Sequence, residues 1–222
     1  SVLKENGVVT FEFPHLLRLI EQTQFDTVYH EHFSYLSLLA IQSIFAAAGL
    51  RAFDVEQLPT HGGSLRVYGC LETAAHAETP EVLRILTAEV SFGLKNPETY
   101  ATFQSKADAV KDGLVRFLLD AKADGKSVAG YGAAAKGNTL MNYAGIRRDL
   151  MPFVCDAADA KIGQYLPASH IPILHPSALH ENRPDYLVIL PWNIAPEIMK
   201  VNQALADKGT KFVVAVPEIK VI

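Results

Sequence analysis

Residues 126–146, KSVAGYGAAAKGNTLMNYAGI, predict the fold of the second half of the chain. The apolar run around Val128 predicts a buried strand, and the sequence after Ala134 predicts a helix. Between them, Gly130 and Gly132 allow a tight turn in which the backbone can approach a ligand closely. Because the free N–H groups at a helix start can hold a phosphate, we expect a βαβ unit with an anion-binding turn.

The same alternation continues to the end of the chain. Apolar strands are predicted at MPFVCDA, DYLVILPW and KFVVAVP, and helices near residues 177–182 and over residues 195–208. Strands that alternate with helices are typical of a parallel, doubly wound sheet. We therefore predict a Rossmann-like domain over residues 126–222.

The predicted turn carries several candidate binding residues. Asp156 ends the next strand, roughly twenty residues on, where such a fold often places a ribose-binding acid. Ala135 stands where the dinucleotide fingerprint has its third glycine, and Lys136 after it suits a diphosphate better. The alternative is a strand–helix turn that glycine permits, with a solvated lysine.

Trp192 and Asn193 are candidates at the same sheet edge. They follow the strand DYLVIL directly, and ligands bind along the carboxyl edge of open α/β sheets. Trp192 could stack on a nucleotide base or fill a domain interface.

The first part of the chain has a different organisation. Strands are predicted over residues 8–13, 50–58 and 64–71, with a helix over residues 37–48 between the first two. This order resembles the end of a class I S-adenosylmethionine methyltransferase sheet, whose final pair is an antiparallel hairpin. We therefore assign residues 1–72 to the end of such a domain and residues 73–125 to a helical connector.

A cluster of proton-handling side chains, Tyr29, His30, Glu31 and His32, precedes the helix of the first part. Buried polar groups each need a partner, so a pocket wall suits them better than a core. Surface histidines at a helix start are the plainer interpretation. His30 and His32 could also share a zinc ion, although no third ligand stands at a recognisable spacing.

Composition excludes several classes of protein. The net charge is −4, and no Lys/Arg cluster suggests a nucleic-acid surface. The longest apolar run, over residues 36–50, is too short to span a bilayer. Cys70 and Cys155 lack metal-site spacing and are predicted to be buried thiols of a cytoplasmic protein.

Several long motifs resemble the sugar C-methyltransferases that act on nucleotide-linked deoxysugars, in particular the C-3 methyltransferases. The motifs are FDTVYHEHFSYLS, LPTHGGSLRVY, GYGAAAKGNTLMNY, YLPASHIPI and PDYLVILPWNI, and they occur in that order. The family has an N-terminal zinc-binding region, a domain that binds S-adenosylmethionine and a C-terminal Rossmann-like domain. By resemblance the chain is the C-terminal half, and the main cofactor loop and the zinc lie upstream.

The resemblance implies roles for three residues of the cluster. In the family a Tyr-x-Glu-His element lines the sugar pocket, and its histidine is the proposed base; Tyr29, Glu31 and His32 match it. The nucleotide-linked sugar would then be bound by Gly130, Gly132, Lys136, Asp156, Trp192 and Asn193. A homodimer or association with the missing half is expected, without membrane or nucleic acid. The alternative function is a nucleotide or nucleotide-sugar binding module without activity of its own.

Overall fold

A computed structural model describes residues 3–222 and divides the chain into two compact units. Unit 1 contains the residues up to Gln24 and His32–Phe103, and unit 2 contains Phe25–Glu31 and Gln104–Ile222. The residues predicted as a helical connector are divided between the units, because a helix at Pro80–Phe92 packs within unit 1.

Unit 1 is built on a three-stranded sheet. Its strands are β1 (Val9–Pro14), β2 (Leu50–Leu58) and β3 (Ser64–Leu71), in the order β1-β3-β2. Strand β3 is antiparallel to both neighbours, so β1 and β2 run in the same direction. The predicted antiparallel hairpin of β2 and β3 is confirmed.

Unit 1 has four α-helices among its described residues, and the second and third pack on this sheet. The four helices are α1 (Leu16–Glu21), α2 (Leu38–Ala47), α3 (Pro80–Phe92) and α4 (Glu98–Ala101). Helix α2 begins after Ser37, whose Oγ accepts a 3.1 Å hydrogen bond from the N–H of Ala40. Its buried residues Leu38, Ile41 and Phe45 recur at helical spacing and therefore form one apolar face against the sheet.

Glu89 on α3 fixes the amino end of α2. Its carboxylate is fully buried and accepts hydrogen bonds from the N–H groups of Leu38 and Leu39 at 2.7 and 2.8 Å. The third donor is Nε2 of the buried His15, at 2.8 Å. A negative charge is favourable at the positive end of a helix, so Glu89 caps α2 from a distant part of the chain.

Unit 2 is built on a six-stranded sheet in the order β6-β5-β4-β7-β8-β9. The strands are β4 (Val128–Tyr131), β5 (Val154–Cys155), β6 (Ile173–Leu174), β7 (Tyr186–Ile189), β8 (Lys211–Val214) and β9 (Lys220–Val221). All neighbours pair in parallel except β8 and β9. The predicted α/β fold with a parallel sheet is confirmed, whereas β6 and β9 were not predicted.

The remaining helices are α5 (Phe103–Ala123), α6 (Ala135–Tyr143), α7 (Ala178–Glu181), α8 (Ala195–Val201) and α9 (Gln203–Ala206). The single helix predicted over residues 195–208 is wrong, because it is broken at Asn202. There the side-chain Nδ2 donates to the carbonyl of Ile198 at 2.8 Å, the kind of local bond that competes with a continuous helix. Within residues 3–222, no helix combines the length and apolarity that crossing a membrane requires.

Candidate functional site

Strand β4 lies where the strand order of the unit 2 sheet reverses. The chain goes from β4 through α6 to β5 on one side, and β7 pairs with β4 on the other. In open α/β sheets, ligands bind in the crevice beyond the carboxyl ends of the strands at such a point. The turn that follows β4 is therefore the natural binding site of unit 2.

Glycine is required in this turn for packing. Gly132 has φ +90, and an added Cβ there would overlap the ring of Pro191. At Gly137 an added Cβ would be 2.7 Å from Cβ of Leu190, so α6 can approach the end of β7 only because this residue is glycine. Gly130 lies inside β4, where a Cβ would be 2.8 Å from Val154 Cγ2. The third close-packed glycine is thus Gly137, two residues beyond Ala135.

Helix α6 points its amino end into the turn. Ala134 occupies the N-cap position and makes no side-chain cap, and the first helical hydrogen bond runs from the N–H of Asn138 to the carbonyl of Ala134 at 3.0 Å. The N–H groups of Ala135, Lys136 and Gly137 find no acceptor among residues 3–222. Such a helix end is suited to an anion.

Asp156 braces the turn. Its Oδ2 accepts a 2.7 Å hydrogen bond from the N–H of Ala133, and its Oδ1 accepts one from the N–H of Ala158 at 2.8 Å. Nζ of Lys161 lies 3.3 Å from Oδ2. Because both carboxylate oxygens have partners, Asp156 positions the turn and Lys161; the predicted ribose contact stays a prediction.

A cavity of about 350 Å³ lies in unit 2 beside this turn. The turn residues Ala133, Ala134 and Ala135 form part of its wall. Its polar wall residues are Tyr29, His30, Asn138, Thr139, Lys161, Gln164 and Tyr165. The buried Oδ1 of Asn138 has no hydrogen-bond partner within residues 3–222. The cavity therefore joins a predicted catalytic residue, Tyr29, to the predicted phosphate-binding turn.

Lys136, Trp192 and Asn193 do come together, but not in the wall of this cavity. Nζ of Lys136 donates to Oδ1 of Asn193 at 2.7 Å and lies 4.8 Å from the centre of the Trp192 ring. The indole Nε1 of Trp192 donates to Oδ2 of Asp26 at 2.7 Å. Asp26 was missed by sequence reasoning, because nothing local links it to a tryptophan far along the chain.

Two groups of this second cluster, Asp26 and Lys136, have shifted pKa values. Burial raises the pKa of Asp26 to about 6, although the hydrogen bond from Trp192 and the charge of Lys136 act in the opposite direction. Burial also lowers the pKa of Lys136, against the attraction of Asp26. The cluster is therefore a poorly solvated acid and base.

The boundary between the units falls within the predicted catalytic segment. Tyr29, His30 and Glu31 belong to unit 2, and His32 belongs to unit 1. The side chain of Glu31 is exposed and lies 3.9 Å from Nε2 of His30. His32 is half-buried, and its ring meets that of His61 edge-on within unit 1, with centroids 5.9 Å apart.

The cysteines and histidines do not form a metal site in the described part of the chain. Residues 3–222 contain no group of three His, Cys, Asp or Glu side chains that could hold a metal ion. Cys70 and Cys155 are buried free thiols, as predicted, and burial raises the pKa of Cys155 to about 12.

Two comparisons with known proteins indicate the family of the chain. Residues 59–217 match the family described as the C-methyltransferase C-terminal domain. All 222 residues align, at 37% identity, with the C-methyltransferase NovU of Streptomyces niveus, of which they cover 53%. The chain belongs to the C-methyltransferase family, which confirms the resemblance. It spans about half the length of this curated relative.

Proposed function

We propose that the chain is the C-terminal, substrate-binding portion of an S-adenosylmethionine-dependent enzyme that methylates carbon in a nucleotide-linked keto-deoxysugar. One observation carries this proposal. Within unit 2, Tyr29 lines the same cavity as the amino end of α6. A side chain of the sugar-binding motif and an anion-binding helix end therefore border one cavity.

The amino end of α6 is the proposed diphosphate site. Its free N–H groups would donate to phosphate oxygens, and Lys161 would supply the neighbouring positive charge. Gly130 and Gly132 would contribute by letting the turn pack closely on Val154 and Pro191, while Asp156 holds the turn and Lys161 in place. The polar side chains further along the wall would contact the nucleoside.

The cluster of Lys136, Trp192 and Asn193 lies outside the cavity wall, so we propose that it influences substrate binding through charge and not through contact. Lys136 is the second residue of α6. Its ammonium group donates to Asn193 and lies over the Trp192 ring. Its positive charge would still favour a diphosphate at the helix end, although without a direct contact.

His32 is the proposed base. A proton on the carbon beside a ketone is acidified by the carbonyl group, and a neutral imidazole can remove it near pH 7. Tyr29 would donate a hydrogen bond to the developing enolate oxygen, a stabilisation worth about 3 kcal/mol when the donor is preorganised. Glu31 completes the matched motif.

S-adenosylmethionine supplies an electrophilic methyl group in reactions of this class. Unit 1 has no glycine-containing turn between a parallel strand and a helix in its described residues, so we assign no cofactor contact to it. Zinc, which the resemblance places upstream, has no proposed part in the chemistry of residues 3–222.

A nucleotide-sugar binding module without activity is the second candidate. It is favoured by the position of the cavity, because every residue of its wall belongs to unit 2. Such a module has no use for a base at His32.

The test is proton exchange in the native protein. In deuterium oxide, the wild type should exchange the proton beside the ketone of a nucleotide-linked 4-keto-deoxysugar. His32→Asn should slow exchange by about 10²–10⁴-fold, since an amide keeps the size of imidazole but cannot act as a base. His30→Asn is the matched control and should change the rate much less. Normal exchange by the His32 variant would contradict the assignment, and sugar binding without exchange in the wild type would favour the binding module.

A further inference from the structure

The connection between β2 and β3 lies at one edge of the unit 1 sheet. Strands β1 and β2 run in the same direction, so their carboxyl ends, Pro14 and Leu58, meet at that edge. Residues 59–63, Pro-Thr-His-Gly-Gly, follow β2 there. The connection therefore lies at the end of the sheet where β1 and β2 both finish.

His61 in this connection has an unfavourable backbone conformation. Its φ of 57° and ψ of 16° lie in the left-handed region, which disfavours residues with a side chain. The following residues hold the conformation in place. Nε2 of Gln24 donates to the carbonyl of Gly62 at 2.8 Å, and the N–H of His15 donates to the carbonyl of Gly63 at 3.0 Å. Backbone strain of this kind persists where the surroundings impose it, and it concentrates at functional sites.

The strained residue faces the predicted base. The rings of His32 and His61 meet edge-on, with an angle of 83° between their planes and 5.9 Å between their centroids. The hydroxyl group of Tyr35 donates a 3.2 Å hydrogen bond to the carbonyl of His32 and so holds the backbone of His32. Two independent contacts therefore converge on His32 within unit 1.

We propose that His61 is a positioning residue, whose imidazole holds the His32 ring in the orientation that proton removal requires. This inference rests on the proposed function, because only a base needs a fixed ring. The contact that carries this role is the edge-on packing of the two rings.

Two substitutions separate the ring from the backbone conformation. His61→Asn keeps a residue that tolerates the left-handed region but removes the ring. His61→Phe keeps an aromatic ring but removes both nitrogens. His76→Asn is the control, because His76 is another histidine of unit 1 that stacks on Phe53.

Nuclear magnetic resonance of the His32 ring protons tests the contact directly. The proton shifts, assigned by their loss in His32→Asn, should change in His61→Asn and be largely retained in His61→Phe. They should not change in His76→Asn. Unchanged His32 shifts in His61→Asn would overturn the proposal, whether or not the protein catalyses exchange.

Proton exchange in the native protein tests the consequence. His61→Asn should lower kcat for exchange by about ten- to a hundredfold, the effect expected of a misplaced catalytic group. KM should change by less than about twofold, because substrate contacts remain. His61→Phe should restore most of kcat. Equal losses in the Asn and Phe variants would show that a nitrogen of His61 is needed and would overturn a purely positioning role, whereas failure of wild-type exchange would count against the proposed function alone.

Discussion

Nε1 of Trp192 donates a 2.7 Å hydrogen bond to Oδ2 of Asp26, a residue 166 positions earlier in the chain. Asp26 belongs to a short 3-10 turn, Phe25–Thr27, that leads directly to Tyr29. The ring of Phe25 packs 5.2 Å from that of Tyr143 at the end of α6. These two contacts hold the start of the predicted catalytic segment on unit 2, beside the cavity that Tyr29 lines.

Replacing Asp26 should change how stability depends on pH. In the folded protein the pKa of Asp26 is about 6, raised from 3.8. The folded state therefore retains this proton over a range in which the unfolded state has lost it, and the wild type loses stability as pH rises from about 4 to about 6. Relative to Asp26→Asn, the loss should reach about 3 kcal/mol, as a shift of roughly two pKa units implies.

Urea unfolding at a series of pH values measures this difference. Asp185→Asn is an informative control, because hydrogen bonds from Ser127 lower the pKa of the exposed Asp185. Its contribution should have the opposite sign and be lost as pH falls through the folded pKa. A difference between wild type and Asp26→Asn that stays constant from pH 4 to pH 7 would show that Asp26 titrates normally.

Replacing Glu89 should destabilise unit 1 strongly. Glu89→Ala leaves His15 and two N–H groups of α2 without their buried acceptor. Breaking a buried charged network in this way costs about 3–5 kcal/mol. Glu81→Ala, on the exposed face of the same helix, should have little effect. The measurement is thermal or urea unfolding, and similar unfolding midpoints for the two variants would contradict the capping role.

Two glycine substitutions should differ in cost. Gly132 and Gly145 both have positive φ, of +90 and +65, but only at Gly132 would a new Cβ overlap another residue. We expect Gly145→Ala to cost about 1 kcal/mol, from the backbone conformation alone. Gly132→Ala should cost about 1–3 kcal/mol more, because the Pro191 ring must shift. Equal free energies of unfolding would mean that the turn has room to adjust.

The two lysines near the turn should respond differently to salt. If Lys161 contacts a diphosphate, Lys161→Ala should weaken binding of a nucleoside diphosphate by about three- to tenfold at low salt, and the loss should shrink as salt is raised. Lys136 is buried, so Lys136→Ala should give a loss that depends less on salt. Calorimetric titration provides the affinities, with Lys122→Ala as the exposed control. If only Lys136→Ala removed the salt-dependent part of the affinity, Lys136 and not Lys161 would be the lysine that contacts the diphosphate.

The sequence by itself was sufficient for the larger elements and for the family. The bounds of β2 and β3 agree with the alternation of apolar residues, because a strand with one buried face has a local period of two. The alternation of strands and helices likewise predicted the parallel sheet of unit 2. Lys136, Trp192 and Asn193 follow neighbouring strands of that sheet and contact one another, while their part in substrate binding stays a prediction.

Only the tertiary structure decided which side chains meet. The two-residue strands β6 and β9 carry too little local pattern to be recognised, and they exist through pairing with their neighbours. Asp26 with Trp192, Glu89 with the start of α2, and His61 with His32 are contacts between distant parts of the chain. Which residue each of these side chains contacts depends on how whole helices and strands pack together. A buried charge or a strained histidine is therefore visible as a residue type in the sequence, but its partner is set by the fold.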